Sequence, residues 1–394
     1  MESNTPISFE DTSVAFAAQN RRQLRRTYLL FASINRPWLV KFGTTMVKFA
    51  FNIGLPIKGL VKNTLFDHFC GGETIAESQT TVKQLGDFNI GTILDYSVEG
   101  QESEANYDAA RDETIRTIEA AKGNEHVPFS VFKVTGLSPT KLLAKVHAKA
   151  ELSAEEAEAW KRVEARVLTI CQKGADLGVP IFIDAEETWL QGPIDDLANQ
   201  MMARFNQERA MIYNTYQMYT KAALGKLKQD LAKAEAGGYY MGAKLVRGAY
   251  MEKERERAEE MGYEDPIQPN REATHRDYDL ALEFCIQNIE KMYICCGSHN
   301  ENSNHYLTEL MVKAGLEPNN PHVYFAQLYG MSDHISYPLA KGGYNVAKYV
   351  PYGPVKKVMP YLFRRAEENT SVAGQSGREF SLIRKEVARR KAAK

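Results

Sequence analysis

From about residue 88 onward the chain repeats one unit. An apolar, β-branched run ends in polar or small residues, and a helical stretch follows. Eight such runs occur: GTILDYSVEG (91–100), FSVFKVTGL (129–137), PIFIDAEE (180–187), MIYNTYQMY (211–219), AKLVRGAY (243–250), YICCGSHN (293–300), VYFAQLYGM (323–331) and NVAKYVPYG (345–353). Near-continuous apolar strands alternating with helices specify a parallel sheet covered by helices. Eight βα units is the count of the (β/α)8, TIM-like barrel. A doubly wound sheet is the competing architecture, and it would bind a dinucleotide through G-x-G-x-x-G after its first strand. Neither that motif nor G-x-x-x-x-G-K-[ST] occurs anywhere in the chain.

The flanks differ from this core. Residues 1–65 carry nine Lys/Arg against three acids, a local +6 in a chain whose net charge is −1. We expect an N-terminal helical arm over 1–87, the barrel over 88–375 and a basic C-terminal tail over 376–394. A helical insertion after strand two, about 139–178, holds a segment that opens with Ser153 and has Glu156 three residues on, a capping-box pattern. The run LVKFGTTMVKFAFNIGLPIKGLVKNTL mixes apolar residues with spaced lysines. Such an arm either packs on the main domain or rests on an anionic membrane surface. Lys41, Lys48, Lys58 and Lys62 cut the longest apolar stretches, so no transmembrane helix of ~20 residues fits.

Composition narrows the function. Of 394 residues, 44% are hydrophobic and 25% charged, ordinary for a globular chain. A chain this long buries roughly 75% of its unfolded surface without staples. Near-zero charge argues against a nucleic-acid binder. Cys70, Cys171, Cys285, Cys295 and Cys296 have no framework spacing and read as free thiols. No metal-ligand spacing appears. Early acids and the lack of an apolar leader disfavour targeting signals, so we expect a cytoplasmic protein.

Polar residues crowd the C-terminal strand ends, where such barrels hold their sites. RRAEEN (364–369) is the sharpest cluster. Arg364 and Glu368 share a helix face, and such a face grips a zwitterion or is merely a surface ion-pair helix. IDAEE (183–187) supplies Asp184 as a site acid or its acids as caps of the next helix. Lys133 is a Schiff-base lysine, an electrostatic anchor or a partner of Asp184. LVRGAY offers Lys244, Arg247 and Gly248; SHN offers Ser298, His299 and Asn300. Tyr250, Leu328, Tyr329, Tyr349 and Tyr352 either wall a small pocket or cap the barrel core.

Taken in order, FKVTGL, IDAEE, YNTYQMY, LVRGAY, SHN, QLYGM, KYVPYG and RRAEEN resemble the proline dehydrogenase family over about residues 91–371. The resemblance implies a distorted (β/α)8 barrel that holds FAD non-covalently. It implies oxidation of L-proline to Δ1-pyrroline-5-carboxylate, with electrons passed to a membrane quinone. By position, Arg364 and Arg365 match the carboxylate-binding pair, with Glu368 and Lys133 as polar companions, and Asp184 matches the acid at the third strand end. Tyr250, Leu328 and Tyr349 match the wall around the ring, and Glu99 a gating glutamate. Lys244, Arg247, Gly248, Ala249, Ser298, His299, Asn300 and Gln327 fall in the flavin segments. Asn214 stands where related bacterial chains have Gln, which leaves Gln217 as an alternative amide, and Lys244 stands where many have Arg. The alternatives are a hydroxyproline dehydrogenase, a non-catalytic flavin- or proline-binding protein, and a Schiff-base aldolase using Lys133.

Overall fold

The computed structural model describes residues 7–53, 55–97, 102–371 and 375–393. Eight strands close into one parallel barrel in sequence order: β1 (Ile90–Tyr96), β2 (Phe129–Lys133), β3 (Ile181–Asp184), β4 (Ile212–Gln217), β5 (Met241–Val246), β6 (Met292–Gly297), β7 (Val323–Leu328) and β8 (Val346–Tyr352). Each of the eight runs read from the sequence overlaps one of these strands, and β1, β5 and β6 begin one or two residues before their runs. In every case the strand stops before its run does.

Helices precede and separate the strands. The arm comprises α1 (Thr12–Ala15), α2 (Arg21–Ile34), α3 (Pro37–Asn52), α4 (Lys58–Val61), a π-helical turn at Lys62–Phe66, α5 (Asp67–Phe69) and α6 (Ile75–Gly86). Between strands run α7 (Glu104–Ala121), α8 (Thr140–His147), α9 (Ala154–Leu177), α10 (Thr188–Phe205), α11 (Ala223–Gly237), α12 (Met251–Met261), α13 (Arg271–Gln287), α14 (Glu301–Lys313) and α15 (Asp333–Lys341). After β8 come α16 (Met359–Ser371) and α17 (Gln375–Ala392). The chain divides into two compact units, one of residues 100–326 and one of residues 1–99 with 327–394.

In the unit of residues 100–326, the inward faces of β2, β3, β4 and β7 build an aromatic floor. Phe129 stacks on Phe182 with ring centroids 4.3 Å apart. Tyr213 and Tyr324 meet Phe129 edge-on, at 5.5 and 4.8 Å. Strand alternation therefore fixes which residues point into the barrel. The stretch expected as one insertion holds two helices. Of these, α9 opens with the expected capping box: Ser153 Oγ accepts from the Glu156 N–H at 3.2 Å, and Glu156 Oε2 accepts from the Ser153 N–H at 2.9 Å. It packs on α7 through buried Arg166, which donates to Asp108 at 2.9 Å and to the Leu137 carbonyl at 3.2 Å.

In the other unit, α16 buries Leu362, Phe363 and Ala366 against Ile34, Val61, Phe66 and Phe69 of the arm. The opposite side of the arm leaves Trp38 and Phe42 at 66% and 60% exposure, with Met46 one turn further along α3. The segment expected as a basic tail is instead the helix α17. It pairs an apolar face with a basic one. Leu382 and Ile383 pack on Ala15, Phe16, Leu24 and Phe31, while Arg390 donates to the carbonyls of Gln19 and Phe16 at 2.6 and 2.8 Å.

Candidate active site

On β2, Lys133 shares the parity of Phe129 and so faces the barrel interior. Its register partner on β3 is Asp184, which shares the parity of Phe182. On β5, Lys244 also points inward, with its ammonium 5.2 Å from the Phe182 ring centroid. Asp184 accepts a hydrogen bond from Lys244 and forms an ion pair with Lys133 at 3.5 Å. The Lys244 and Asp184 side chains are 5% and 13% exposed, that of Lys133 40%. One carboxylate thus stands between two ammonium groups, above an apolar floor. The surplus positive charge suits an anionic group of a ligand.

The acids after β3 separate into distinct roles. Glu186 is buried, and its carboxylate accepts from Thr135 Oγ1 at 2.6 Å and from Tyr250 Oη at 3.1 Å. Its backbone carbonyl accepts from Gln217 Nε2 at 2.6 Å. Burial raises the Glu186 carboxyl above the usual range, a shift opposed by the Lys133 charge. Burial also pushes the Tyr250 phenol up, so it stays protonated and donates. Glu187 pairs with Lys253 at 3.1 Å and makes no side-chain cap. The cap of α10 comes from Glu254 of α12, which accepts from both the N–H and the hydroxyl of Thr188 at 2.6 Å. Sequence reading missed Glu254, because the capping residue lies 66 positions away.

Two expected cofactor residues face the wrong way. Asn214 shares the parity of Ile212 and Tyr216 and is fully buried toward the helices; its amide donates to Asp195 of α10 at 2.8 Å. Of the two amides left open by the sequence, Gln217 is the inward one, by the same alternation. Gln327 likewise has the parity opposite to inward Tyr324. It is buried outside the barrel lumen and accepts from Ser336 Oγ of α15 at 2.7 Å.

At the ends of β5 and β6, Arg247 turns toward the helices. It donates to His275 at 2.9 Å, Ser298 Oγ at 2.7 Å and Ser303 Oγ at 2.9 Å, with its guanidinium 4.3 Å from the Tyr278 ring centroid. Gly248 has φ +135°, and a Cβ there would stand 2.4 Å from the Tyr219 ring. Glycine therefore lets the backbone pack closely on Tyr219, and Gly248 and Ala249 are both exposed. Ser298 is buried, His299 is half-buried, and Asn300 caps α14 by accepting from the Ser303 N–H at 3.0 Å.

In the unit of residues 1–99 and 327–394, Leu328 shares the inward parity of Tyr324 and is half-buried. Tyr349 is buried, and its carbonyl accepts the Tyr329 N–H at 2.8 Å. The tandem arginines of α16 differ: Arg364 is exposed, whereas Arg365 is 8% exposed with its guanidinium 5.2 Å from the Tyr361 ring centroid. Glu99 and the Glu368 side chain lie outside the described residues. Sequence reading also missed Lys348, which is 0% exposed on β8 beside Tyr349. A lysine inside an apolar run carries no signal of which face it takes.

A closed parallel barrel with ion-paired lysines and acids at its C-terminal strand ends defines a (β/α)8-barrel enzyme. The chain belongs to the proline dehydrogenase family, oxidoreductases that act on proline: the family model matches residues 78–378. The match ends one residue before Glu379, so most of α17 lies beyond it. The chain is 31% identical to proline dehydrogenase 1, mitochondrial, of Dictyostelium discoideum, over 96% of this chain and 74% of that one. To the Homo sapiens protein of the same name it is 43% identical, over 60% of this chain and 40% of that one. Among solved structures, proline utilization A (PutA) from Bdellovibrio bacteriovorus inactivated by N-propargylglycine superposes with a TM-score of 0.72 at 18% identity, covering 95% of this chain and 40% of that one. The last likeness concerns the fold alone.

Proposed function

We propose that this chain oxidises L-proline to Δ1-pyrroline-5-carboxylate with FAD and delivers the electrons to a membrane quinone. The observation that carries the reading is the Lys133–Asp184–Lys244 cluster at the strand ends of a chain in this family. Arg364 and Arg365 are assigned to the substrate carboxylate, as guanidinium forks suit that geometry. Glu368 is assigned to the ring ammonium. Leu328, Tyr349 and Tyr250 are assigned to the wall that excludes water. Lys133, in its ion pair with Asp184, is read as an electrostatic anchor and not as a Schiff-base nucleophile. Glu99 is assigned to the gate.

The donor set at the ends of β5 and β6 fits a phosphate-rich cofactor. It offers an arginine flanked by two hydroxyls, the N-terminus of α14 and the exposed Gly248 and Ala249. Arg247, Ser298, His299 and Gln217 are the side chains assigned to hold it, with Lys244. When bound, FAD would take up the hydride, and with it the two electrons, that leaves the substrate.

The electron acceptor bears on the arm. Trp38, Phe42 and Met46 recur every four residues on α3 and are all exposed, as are Ile53, Leu55 and Leu60 beyond it. Lysines flank them at 41 and 58. An exposed apolar stripe with basic neighbours suits a peripheral seat on an anionic lipid surface. No described helix is long and apolar enough to cross a membrane.

The test is proline-dependent reduction of a soluble quinone analogue by the purified protein supplied with FAD, with the cyclic imine identified as product. Turnover with L-proline supports the reading, and none at any added FAD overturns it. Co-sedimentation with phosphatidylglycerol vesicles, lost in a Trp38→Ser/Phe42→Ser variant, supports the membrane seat; equal recovery of both proteins removes it.

A further inference from the structure

The segment that joins β7 to α15, residues 329–332, carries no secondary structure of its own, yet it is held at three points. The first is Gly330. Its φ is +75°, and a Cβ there would stand 2.2 Å from the carbonyl oxygen of His68. His68 Nε2 lies 2.8 Å from the Gly330 carbonyl oxygen. Burial lowers the imidazole pKa, which keeps the ring neutral. The second point is Lys348, whose ammonium donates to the carbonyl of Met331 at 2.5 Å, to Asp333 Oδ1 at 2.9 Å and to the Leu328 carbonyl at 3.5 Å.

The third point comes from α17. Ser332 adopts the left-handed conformation, φ +54°, which is strained for a residue with a side chain. Its N–H donates to Glu379 Oε1 at 2.9 Å. Glu379 is 6% exposed, and Ser332 and His334 are each 2% exposed. The charged and titratable groups that face the carboxyl are His334 and Asp333 of α15 and Lys348 of β8. A carboxyl is costly to bury unless its hydrogen bonds are satisfied. Glu379 meets that condition through the backbone of a different segment, the Ser332 N–H.

We propose that Glu379 is a positioning residue. Through the Ser332 amide it fixes the β7–α15 segment, and so sets the place of Leu328 at the segment's start and of Tyr349, whose carbonyl holds the Tyr329 N–H. The helix that follows the family's barrel thereby shapes the apolar wall assigned to the proline ring. This inference rests on the proposed proline dehydrogenase reading for its kinetic consequence, but its structural claim stands apart from it.

The test uses the full-length protein loaded with FAD, as wild type, Glu379→Ala and Glu379→Gln. Hydrogen exchange is followed on peptides that span residues 328–336. Glu379→Ala speeds exchange there by about tenfold while the strands of the barrel keep their protection. In the same variant KM for L-proline rises by about fivefold, with kcat within about twofold. Glu379→Gln retains an acceptor for the Ser332 N–H and restores both values. Glu379→Asp keeps the charge but shortens the reach, and shifts exchange in the same direction by less. Unchanged exchange in Glu379→Ala overturns the proposal. So does faster exchange spread evenly over the barrel, which marks a role in global stability only. If wild type fails to turn over proline, the functional reading fails, while the exchange data still decide whether Glu379 holds the segment.

Discussion

Replacing Glu379 with glutamine also makes a quantitative prediction about stability. The carboxyl is buried, and desolvation, joined by the nearby Asp333 charge, lifts its pKa from an ordinary 4.5 to about 7 against the pull of His334 and Lys348. The unfolded chain therefore ionises this group first as pH rises. Below about pH 4.5 both states are protonated and nothing is lost. Between there and pH 7 the folded state falls behind, and above 7 the loss is complete. At about 1.4 kcal/mol per tenfold change in proton affinity, the full loss is at most about 3 kcal/mol. Glutamine cannot ionise but still accepts from the Ser332 N–H. With an unfolding entropy of about 2 cal/mol/K per residue, a chain of this length shifts its Tm by roughly 1 °C per kcal/mol. Glu379→Gln should thus melt about 3 °C above wild type at pH 8.5, shrinking to about 1 °C at pH 5. Paired thermal melts across pH 5–9 (the range that brackets about 7) measure this. A variant less stable than wild type at pH 8.5, or an offset independent of pH, refutes the reasoning.

Asp184→Asn removes the carboxylate between two lysines and leaves the Lys244 ammonium, 5% exposed, without its counter-charge. It should cost about 3 kcal/mol in denaturant unfolding, and adding Lys244→Met should recover at least about 1 kcal/mol of that; additive losses would contradict the pairing. Tyr349, assigned to the wall around the ring, would crowd a ring hydroxyl, so Tyr349→Ser should raise the ratio of kcat/KM for hydroxyproline over proline by about tenfold. An unchanged ratio would remove the steric argument that disfavours hydroxyproline as the native substrate.

The barrel was readable because its signal is a count: eight buried apolar runs, each followed by a helix. The pairing of Lys133 with Asp184 was readable because the two opposite charges end neighbouring strands. Asn214 and Gln327 misled because a strand end holds residues of both parities, and only the packing of Tyr213 and Tyr324 reveals which parity faces inward. Lys348 and Glu379 were invisible as a pair. One sits inside an apolar run and the other in a stretch whose arginines suggested a solvated tail, and their meeting around residues 328–333 is purely tertiary. The arm carried two meanings at once, and its two faces divide them: Phe66 and Phe69 are buried against α16, while Trp38 and Phe42 are exposed.

The central claim is that this barrel binds a flavin and that L-proline reduces it. An anaerobic absorbance spectrum of the FAD-supplemented protein, taken before and after L-proline is added, tests both parts together. The account predicts a protein-bound flavin band that bleaches on addition of L-proline. A bound flavin indifferent to proline would contradict the substrate assignment to Arg364, Arg365 and Tyr349, and a protein that retains no flavin would contradict the account at its base.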